Sequence, residues 1–131
     1  KTDLPLVNIP PLTTNNELQF SLPKWKSFFV LLNSKTVFRQ NRYPNNNFPQ
    51  AVVENGQIVT KTVDISTPPN GYHDLGIELN WGPYPLRSSK VSVSLILDNV
   101  LDASYRNYLN RLRFYSDEIG RNIRLQIKLY H

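Results

Sequence analysis

The sequence predicts an all-β fold, an antiparallel meander of five strands, from two observations. Five segments alternate apolar and polar residues with a period of two, the pattern of strands that have one apolar face and one wet face. The connections between these segments are alternately short and long, which in a meander puts the short turns at one end and the long loops at the other. The length of 131 residues suits one domain or a piece of something larger.

The first two predicted strands are residues 15–22 and 28–40. In the first, leucine and phenylalanine alternate with Glu17, Gln19 and Ser21. The second is less regular, but its even positions carry no charge, while polar residues such as Lys35 occupy the odd positions. The connection over residues 23–27 is short, so an antiparallel pair is expected.

The last three predicted strands are residues 72–81, 90–98 and 121–131. Their alternation is the most regular in the chain, and the final strand repeats an aliphatic residue at every second position: Ile123, Leu125, Ile127 and Leu129. Residues 82–89, which include two prolines, form the short connection before the fourth strand, whereas residues 99–120 form a long loop before the fifth.

The two long loops have patterns of their own. In the loop over residues 41–71, Asn55-Gly56 lies between two apolar runs, and Asn-Gly in that position predicts a two-residue β-hairpin. In the second loop, Tyr105, Tyr108 and Leu112 lie near helical spacing, which indicates one short helix, although no capping residue supports it.

Four features favour a transmembrane sheet over a soluble sandwich. One face is almost purely aliphatic at mid-strand, while the other carries charges; the strands are near the roughly 9–11 residues that a tilted span needs. Connection lengths alternate as in outer-membrane barrels, and aromatic residues lie near the strand ends. The longest apolar run, residues 28–32, is far shorter than the roughly 20 residues of a spanning helix.

Five strands cannot close a barrel, because the smallest single-chain barrels have about eight. An open edge in lipid leaves backbone donors and acceptors unpaired at several kcal/mol each. The predicted fold is therefore an antiparallel meander that forms an arc of a large transmembrane β-barrel, completed by missing sequence or by another chain.

Two short motifs carry a family resemblance. Residues 97–105 read Leu-Asp-Asn-Val-Leu-Asp-Ala-Ser-Tyr, and after about 15 residues Gly120-Arg121 opens the final strand. This order resembles the C-terminal end of TonB-dependent outer-membrane receptors, in which an Asn-Leu-Phe-Asp-x-x-Tyr-like motif tops the penultimate strand. Residues 6–11 and 69–72 resemble the proline- and glycine-bearing entries to earlier strands of that family.

The resemblance covers nearly the whole chain, residues 1–131, as the C-terminal part of a receptor barrel without its plug and N-terminal strands. It implies a bacterial outer-membrane protein whose barrel of about 22 strands encloses a plug, and which takes up an iron chelate, cobalamin or glycan with energy from TonB. The implied partners are the remaining barrel and plug, outer-membrane lipid, TonB through the plug, and a surface lipoprotein, but no nucleic acid. The chain departs from the family at its last residue, which is typically Phe and here is His131.

Ten residues are candidate functional residues. The motif residues are expected to make turn contacts more than ligand contacts, since Asn and Asp bond local backbone and Gly permits positive φ: Asn99, Asp102, Tyr105, Gly120 and Arg121. Arginines grouped near the long loops are candidate contacts for lipopolysaccharide phosphates, through bidentate guanidinium bonds: Arg39, Arg42, Arg106, Arg111 and Arg113.

No catalytic, cofactor-binding or metal-binding residues are predicted. The chain has no Cys, no Gly-x-Ser-x-Gly and no phosphate-cradling glycine run, so enzymatic activity is not expected. The two histidines, His73 and His131, are predicted to lie at opposite ends of the sheet, which disfavours a shared metal site.

Two alternatives remain open at this point. The net charge of +5 is also consistent with a soluble basic β-sandwich or β-barrel module that binds nucleic acid or carbohydrate. A non-transporting outer-membrane barrel, such as an adhesin or an assembly factor, would show the same strand pattern.

Overall fold

The computed structural model describes residue 5 and residues 8–22, 24–25 and 27–131. Parts of the expected strand entry at residues 6–11 and of the short connection at 23–27 therefore lie outside the described residues. The elements in chain order are β1 (Thr13–Ser21), β2 (Phe28–Val37), β3 (Phe48–Glu54), β4 (Gln57–Val63), β5 (Tyr72–Leu86), β6 (Ser89–Asp98), a 3-10 helix (Arg111–Phe114) and β7 (Asn122–Tyr130). The described chain contains no α-helix, so the all-β prediction is confirmed.

Five strands form one antiparallel sheet in the order β1-β2-β5-β6-β7, and β3 and β4 form a separate hairpin. The five-stranded meander is confirmed, because each predicted strand pairs with the next predicted strand along the chain. The long connection between β2 and β5 carries the hairpin, and the other long loop joins β6 to β7. The sheet is open, with β1 and β7 as its edges.

The register brings the alternating apolar residues of all five strands onto one face, since directly paired residues in a sheet share a face, whereas Phe29, Leu31 and Ile96 lie on the opposite, polar face. Two complete rows cross the sheet from β1 to β7: Leu18, Leu32, Ile77, Leu97 and Ile123, and then Phe20, Val30, Leu79, Leu95 and Leu125. We call this surface the aliphatic face.

No second layer covers the aliphatic face among the described residues, where each strand contacts only its neighbours in its own sheet. The side chains on the β7 edge are accordingly open, with Leu125 67% and Leu129 70% exposed. Phe28, beside Trp25 and Trp81, is the one residue of this face that is buried in the described chain.

The third strand of the sheet is longer than the sequence predicts. β5 continues through Gly82 and Pro83 to Leu86, so the β5–β6 connection is a tight turn at Arg87 and not the eight-residue segment expected. A bulge between Trp81 and Tyr84 makes this extension compatible with proline. Pairing with β2 ends at Trp81, so the following prolines leave no ladder bond unmade on that side.

Gly82 is required at the bulge. Its φ is +99°, and a Cβ there would lie 2.6 Å from the carbonyl oxygen of Val91. Its N–H donates to the Ser27 carbonyl over 2.7 Å, which ties the bulge to the connection between β1 and β2.

Both loop predictions have structural counterparts. The hairpin of β3 and β4 turns at Asn55-Gly56, with φ of 53° and 76°, as a type I′ turn requires. The helix in the second loop is a single 3-10 turn and starts later than the tyrosine spacing indicates, because the Asn110 side chain caps it by accepting from the Leu112 N–H at 2.9 Å.

Replacing Gly56 by alanine is expected to open the hairpin. Nothing lies within 4 Å of the new methyl group, but its positive φ disfavours L-residues by roughly 1–2 kcal/mol. Amide hydrogen exchange of Val52 and Val59, a hydrogen-bonded pair of the hairpin, measures the effect, and protection there should fall about ten-fold. Gln57→Ala, next to the turn but without positive φ, is the control; equal loss of protection in both variants would contradict this account.

Candidate functional site

The family-like motif lies where β6 leaves the sheet, at the end that carries both long loops. Asn99 and Asp102 have φ of 49° and 52°, a left-handed conformation that asparagine and aspartate tolerate better than most residues. The Asp102 N–H donates to the Asn99 carbonyl at 2.8 Å, and the Val100 N–H donates to Leu75 on β5 at 2.8 Å. The chain therefore reverses tightly here and stays attached to the sheet.

Asn99 is the centre of this turn. It is 3% exposed, and its amide both accepts from the Ala103 N–H and donates to the Ala103 carbonyl, each at 2.9 Å. A weaker contact of 3.5 Å reaches the Ile119 carbonyl at the far end of the loop. One buried side chain thus pairs with both backbone groups of Ala103.

Asp102 joins the start of the loop to its end. Its Oδ1 accepts from the Arg121 N–H at 3.0 Å, and its Oδ2 lies 3.7 Å from the Arg121 guanidinium. A Cβ on Gly120 would approach Asp102 Oδ1 to 3.2 Å, so glycine keeps this approach open. The structure therefore brings four of the five motif residues into one network at the entrance to β7.

Tyr105, the fifth motif residue, stacks on Tyr72 at the start of β5. Their ring centroids are 3.9 Å apart with planes inclined by 14°, and the Tyr105 carbonyl accepts from the Glu118 N–H at 2.9 Å. Partial burial, followed by the nearby negative charge of Asp74, raises the pKa of Tyr105 to about 12. The phenol is therefore neutral over the physiological range, and its ring packs against Tyr72.

Arg106 is held by its own loop. Its Nε donates to Asp117 Oδ1 at 2.6 Å, and Ser104 donates its hydroxyl to the other carboxylate oxygen of Asp117. These bonds, Arg106 first and Ser104 second, lower the pKa of the Asp117 carboxyl below its usual value. Any lipid phosphate at Arg106 would compete with this ion pair.

Arg113 is 8% exposed and connects the two long loops. Its guanidinium lies 4.5 Å from the Tyr108 ring centroid and 4.6 Å from that of Phe114. It donates to the Tyr108 carbonyl and, at 3.5 Å, to the Ile65 carbonyl beyond β4. Through these contacts, Arg113 joins the two long loops.

Arg39, Arg42 and Arg111 are exposed, and all three lie in the long connections between strands of the sheet. Their positions leave the predicted contact with lipopolysaccharide phosphates open for these three, whereas Arg106 and Arg113 are engaged within the protein. Lipid contact stays a prediction for all five arginines.

On the polar face of the sheet, a single cavity of about 340 Å³ is lined by residues of all five strands, from β1 through to β7. Arg124 donates to Asp98 Oδ2 at 2.9 Å within this face. A second cavity of about 370 Å³ lies nearer the long loops, over Gly76. Its ionisable lining consists of Glu17, Lys35, Asp74, Glu78 and Asp98.

Sequence reasoning missed the acceptors of the second loop. Asp117 and Glu118 hold the loop through Arg106 and Asn110, the latter donating to Glu118 Oε1 at 2.7 Å. The sequence gives no periodic signal for Asp117 and Glu118. Only the folded path of the loop brings these two carboxylates close to residues 104–110. The Arg124–Asp98 pair was also missed, because it joins positions 26 residues apart across a strand register.

The two histidines are at opposite ends of the sheet, as predicted. His73 Nδ1 lies 2.8 Å from the Thr36 hydroxyl near the long loops, and His131 Nδ1 lies 3.1 Å from the Ser89 hydroxyl at the tight-turn end. Within the described ranges, no group of three or more His, Asp or Glu side chains is arranged to hold a metal ion. No helix in the described part of the chain has the length and apolarity to cross a membrane.

Comparisons of the chain with protein-family models, with curated proteins and with solved structures give no significant match.

Asn99→Ala is expected to destabilise the motif turn. It leaves the Ala103 N–H and carbonyl without their partner, at roughly 1–3 kcal/mol for a buried unsatisfied group. Hydrogen exchange of the Ala103 amide measures this local opening. Arg121→Ala is the control, since it removes only an exposed 3.7 Å ion pair, which is worth about 1 kcal/mol or less. Equal effects of the two substitutions would show that Asn99 does not hold the turn.

Tyr105 is expected to titrate near pH 12, against about 10 in an unfolded chain. Its folded pKa is raised, so its contribution to stability is complete below pH 10 and is lost as the pH rises through 12. The ¹³Cζ chemical shift of Tyr105, measured by NMR, follows its titration separately from those of the other six tyrosines. Asp74→Asn should move the Tyr105 pKa down toward 10, while Asp117→Asn should leave it unchanged; a Tyr105 pKa near 10 in the unsubstituted chain would refute the packing described.

Proposed function

We propose that this chain is part of the β-barrel of a TonB-dependent transporter in the bacterial outer membrane, close to the barrel's C-terminal end. The transporter would take up a scarce ligand of the iron-chelate, cobalamin or glycan class. The single observation that carries the proposal is the aliphatic face, which crosses all five strands and has no covering layer in the described chain.

The size of the aliphatic face argues for lipid as its neighbour. Five strands at about 4.8 Å spacing make it about 24 Å wide, and the apolar positions of β7 alone extend about 20 Å along the strand. Soluble monomers rarely leave contiguous apolar patches of this extent uncovered. Strands of 9, 10, 15, 10 and 9 residues are also near or above the roughly 9–11 residues of a tilted membrane strand.

Aromatic residues at one end of the aliphatic face support the same orientation. At the tight-turn end, the centroid of the Phe28 ring lies 5.2 Å from that of Trp25 and 5.1 Å from that of Trp81. Aromatic rings at the limit of an apolar band match an interfacial girdle of a barrel. At the long-loop end, Tyr72, on which Tyr105 stacks, lies on the polar face together with Asp74.

The two open edges of the sheet are consistent with an arc of a larger barrel. The outer edges of β1 and β7 would each present unpaired backbone groups to lipid, at several kcal/mol per group. In the proposed transporter, neighbouring strands of the same barrel pair with both edges. The long loops then face the cell exterior, where exposed Arg39, Arg42 and Arg111 are candidate contacts for lipopolysaccharide phosphate.

A pair of substitutions on β7 tests the membrane proposal. Leu125→Arg puts a charge at the middle of the aliphatic face and is expected to weaken partition into phosphatidylcholine vesicles by about 2–4 kcal/mol. Gln126→Arg adds the same charge to the polar face and should change partition little. Vesicle flotation after dilution from urea gives the partition constant.

The soluble module would give a different result. A soluble β-module would stay monodisperse without detergent and would melt cooperatively. The unsubstituted chain and both arginine variants would then remain in the aqueous fraction. That outcome, or equal losses of partition in the two arginine variants, would overturn the proposal.

A further inference from the structure

The net positive charge of the chain is concentrated at the tight-turn end of the sheet. The sequence segments of this end, residues 21–29, 80–94 and 126–131, contain no Asp or Glu and five basic residues: Lys24, Lys26, Arg87, Lys90 and Lys128. The rest of the chain has ten basic and ten acidic side chains, so the whole excess of +5 belongs to this end. Lys26 lies outside the described residues.

Three of these basic side chains are remote from any carboxylate on the neighbouring strands. Lys24, Arg87 and Lys90 are exposed and make no ion pair within the described part of the chain. Lys90 lies six residues along β6 from the position that pairs with Glu78, a separation of about 20 Å. That is more than twice the Debye length of about 8 Å at physiological ionic strength. Lys128 differs, because two carboxylates line the same cavity.

An aromatic notch lies at the same end, where the aliphatic face stops. It is a cavity of about 330 Å³ between the β1–β2 connection and the bulge of β5, and its lining includes Ser21, Leu22, Trp25, Ser27, Phe28 and Pro83. The Trp25 N–H donates to the Leu22 carbonyl and the Trp25 carbonyl accepts from the Phe28 N–H, each at 2.9 Å. The connection that carries Lys24 is therefore tightly turned and fixed to the start of β2.

We infer that the tight-turn end binds anionic glycerophospholipids, with their phosphates at Lys24 and Arg87 and their acyl chains on the aliphatic face. Ammonium and guanidinium groups bind phosphate through charge-assisted hydrogen bonds. Trp25, which is 58% exposed beside Lys24, suits the boundary between headgroups and acyl chains. A zwitterionic headgroup neutralises its own phosphate, so uncompensated basic side chains favour a lipid with net negative charge.

The leaflet in which these lipids lie rests on the proposed function. In the proposed transporter the long loops face the cell exterior, so the tight-turn end meets the leaflet opposite the lipopolysaccharide. Preference for an anionic lipid is a property of the folded sheet, and it can be measured without transport and without a closed barrel.

Both tryptophans of the chain, Trp25 and Trp81, flank Phe28 at this end, so their fluorescence reports lipid bound here. The chain in dodecyl maltoside micelles is titrated with phosphatidylglycerol or phosphatidylcholine whose brominated acyl chains quench tryptophan on contact. We expect phosphatidylglycerol to reach half-maximal quenching at a mole fraction about ten-fold lower at about 0.1 M salt, and the preference to disappear at about 1 M salt. Equal quenching by the two lipids at the lower salt concentration overturns the inference.

Two substitutions locate the headgroup contacts. Lys24→Gln and Arg87→Gln each remove one uncompensated charge from an exposed connection, and each is expected to reduce the preference for phosphatidylglycerol about three-fold. Arg42→Gln removes an exposed charge from a long connection and should leave the preference unchanged. Equal effects at the three positions would show that the preference reports only the net charge of the chain, and would rule out this site.

A soluble competitor distinguishes the lipid from a free phosphate. Glycerol phosphate carries the anionic group without acyl chains, so it should not displace phosphatidylglycerol at the same concentration. Displacement would mean that the site takes a soluble phosphate, and the lipid would be ruled out. Absence of quenching by either lipid would contradict the membrane position of the aliphatic face as well, whereas equal quenching by both lipids would contradict the lipid preference alone.

Discussion

One uncovered aliphatic face determines what this sheet requires of its surroundings. Apolar surface in contact with water costs about 25 cal/mol per Å², and the rows from Leu18 to Ile123 and from Phe20 to Leu125 have no second layer in the described chain to remove that cost. A bilayer removes it without a second layer, provided that the backbone is hydrogen-bonded within the sheet. The meander provides those bonds for its three inner strands and leaves only the outer sides of β1 and β7 unpaired.

The two ends of the sheet are built differently. At the tight-turn end, a glycine bulge and an aromatic cluster keep the connections short and fixed to the strands. At the other end, the loops are long but far from unstructured, since Asn99, Asp102 and Asp117 tie the second loop to itself and Arg113 ties it to the first. In the proposed transporter, this second end is the outer surface, where ordered loops can enclose a ligand.

The two faces also differ in the chemistry of the partner that each can accept. The aliphatic face accepts only apolar neighbours. The polar face carries carboxylates and basic side chains in similar number, so it suits water or polar neighbours and not acyl chains.

The sequence by itself determined the strands, their faces and the hairpin, because periods of two and an Asn-Gly turn are local signals that survive without knowledge of the fold. The sequence pattern placed the end of β5 too early, because proline normally ends a strand. The prolines after Trp81 are tolerated because β5 no longer pairs with β2 there. The sequence pattern also grouped five arginines by position along the chain. The tertiary structure alone decided that Arg113 is buried between two rings, that Arg106 is paired with Asp117, and that Asp74 faces a cavity without a donor. Those outcomes depend on which loop returns to which strand, and such long-range contacts leave no periodic trace in the order of residues.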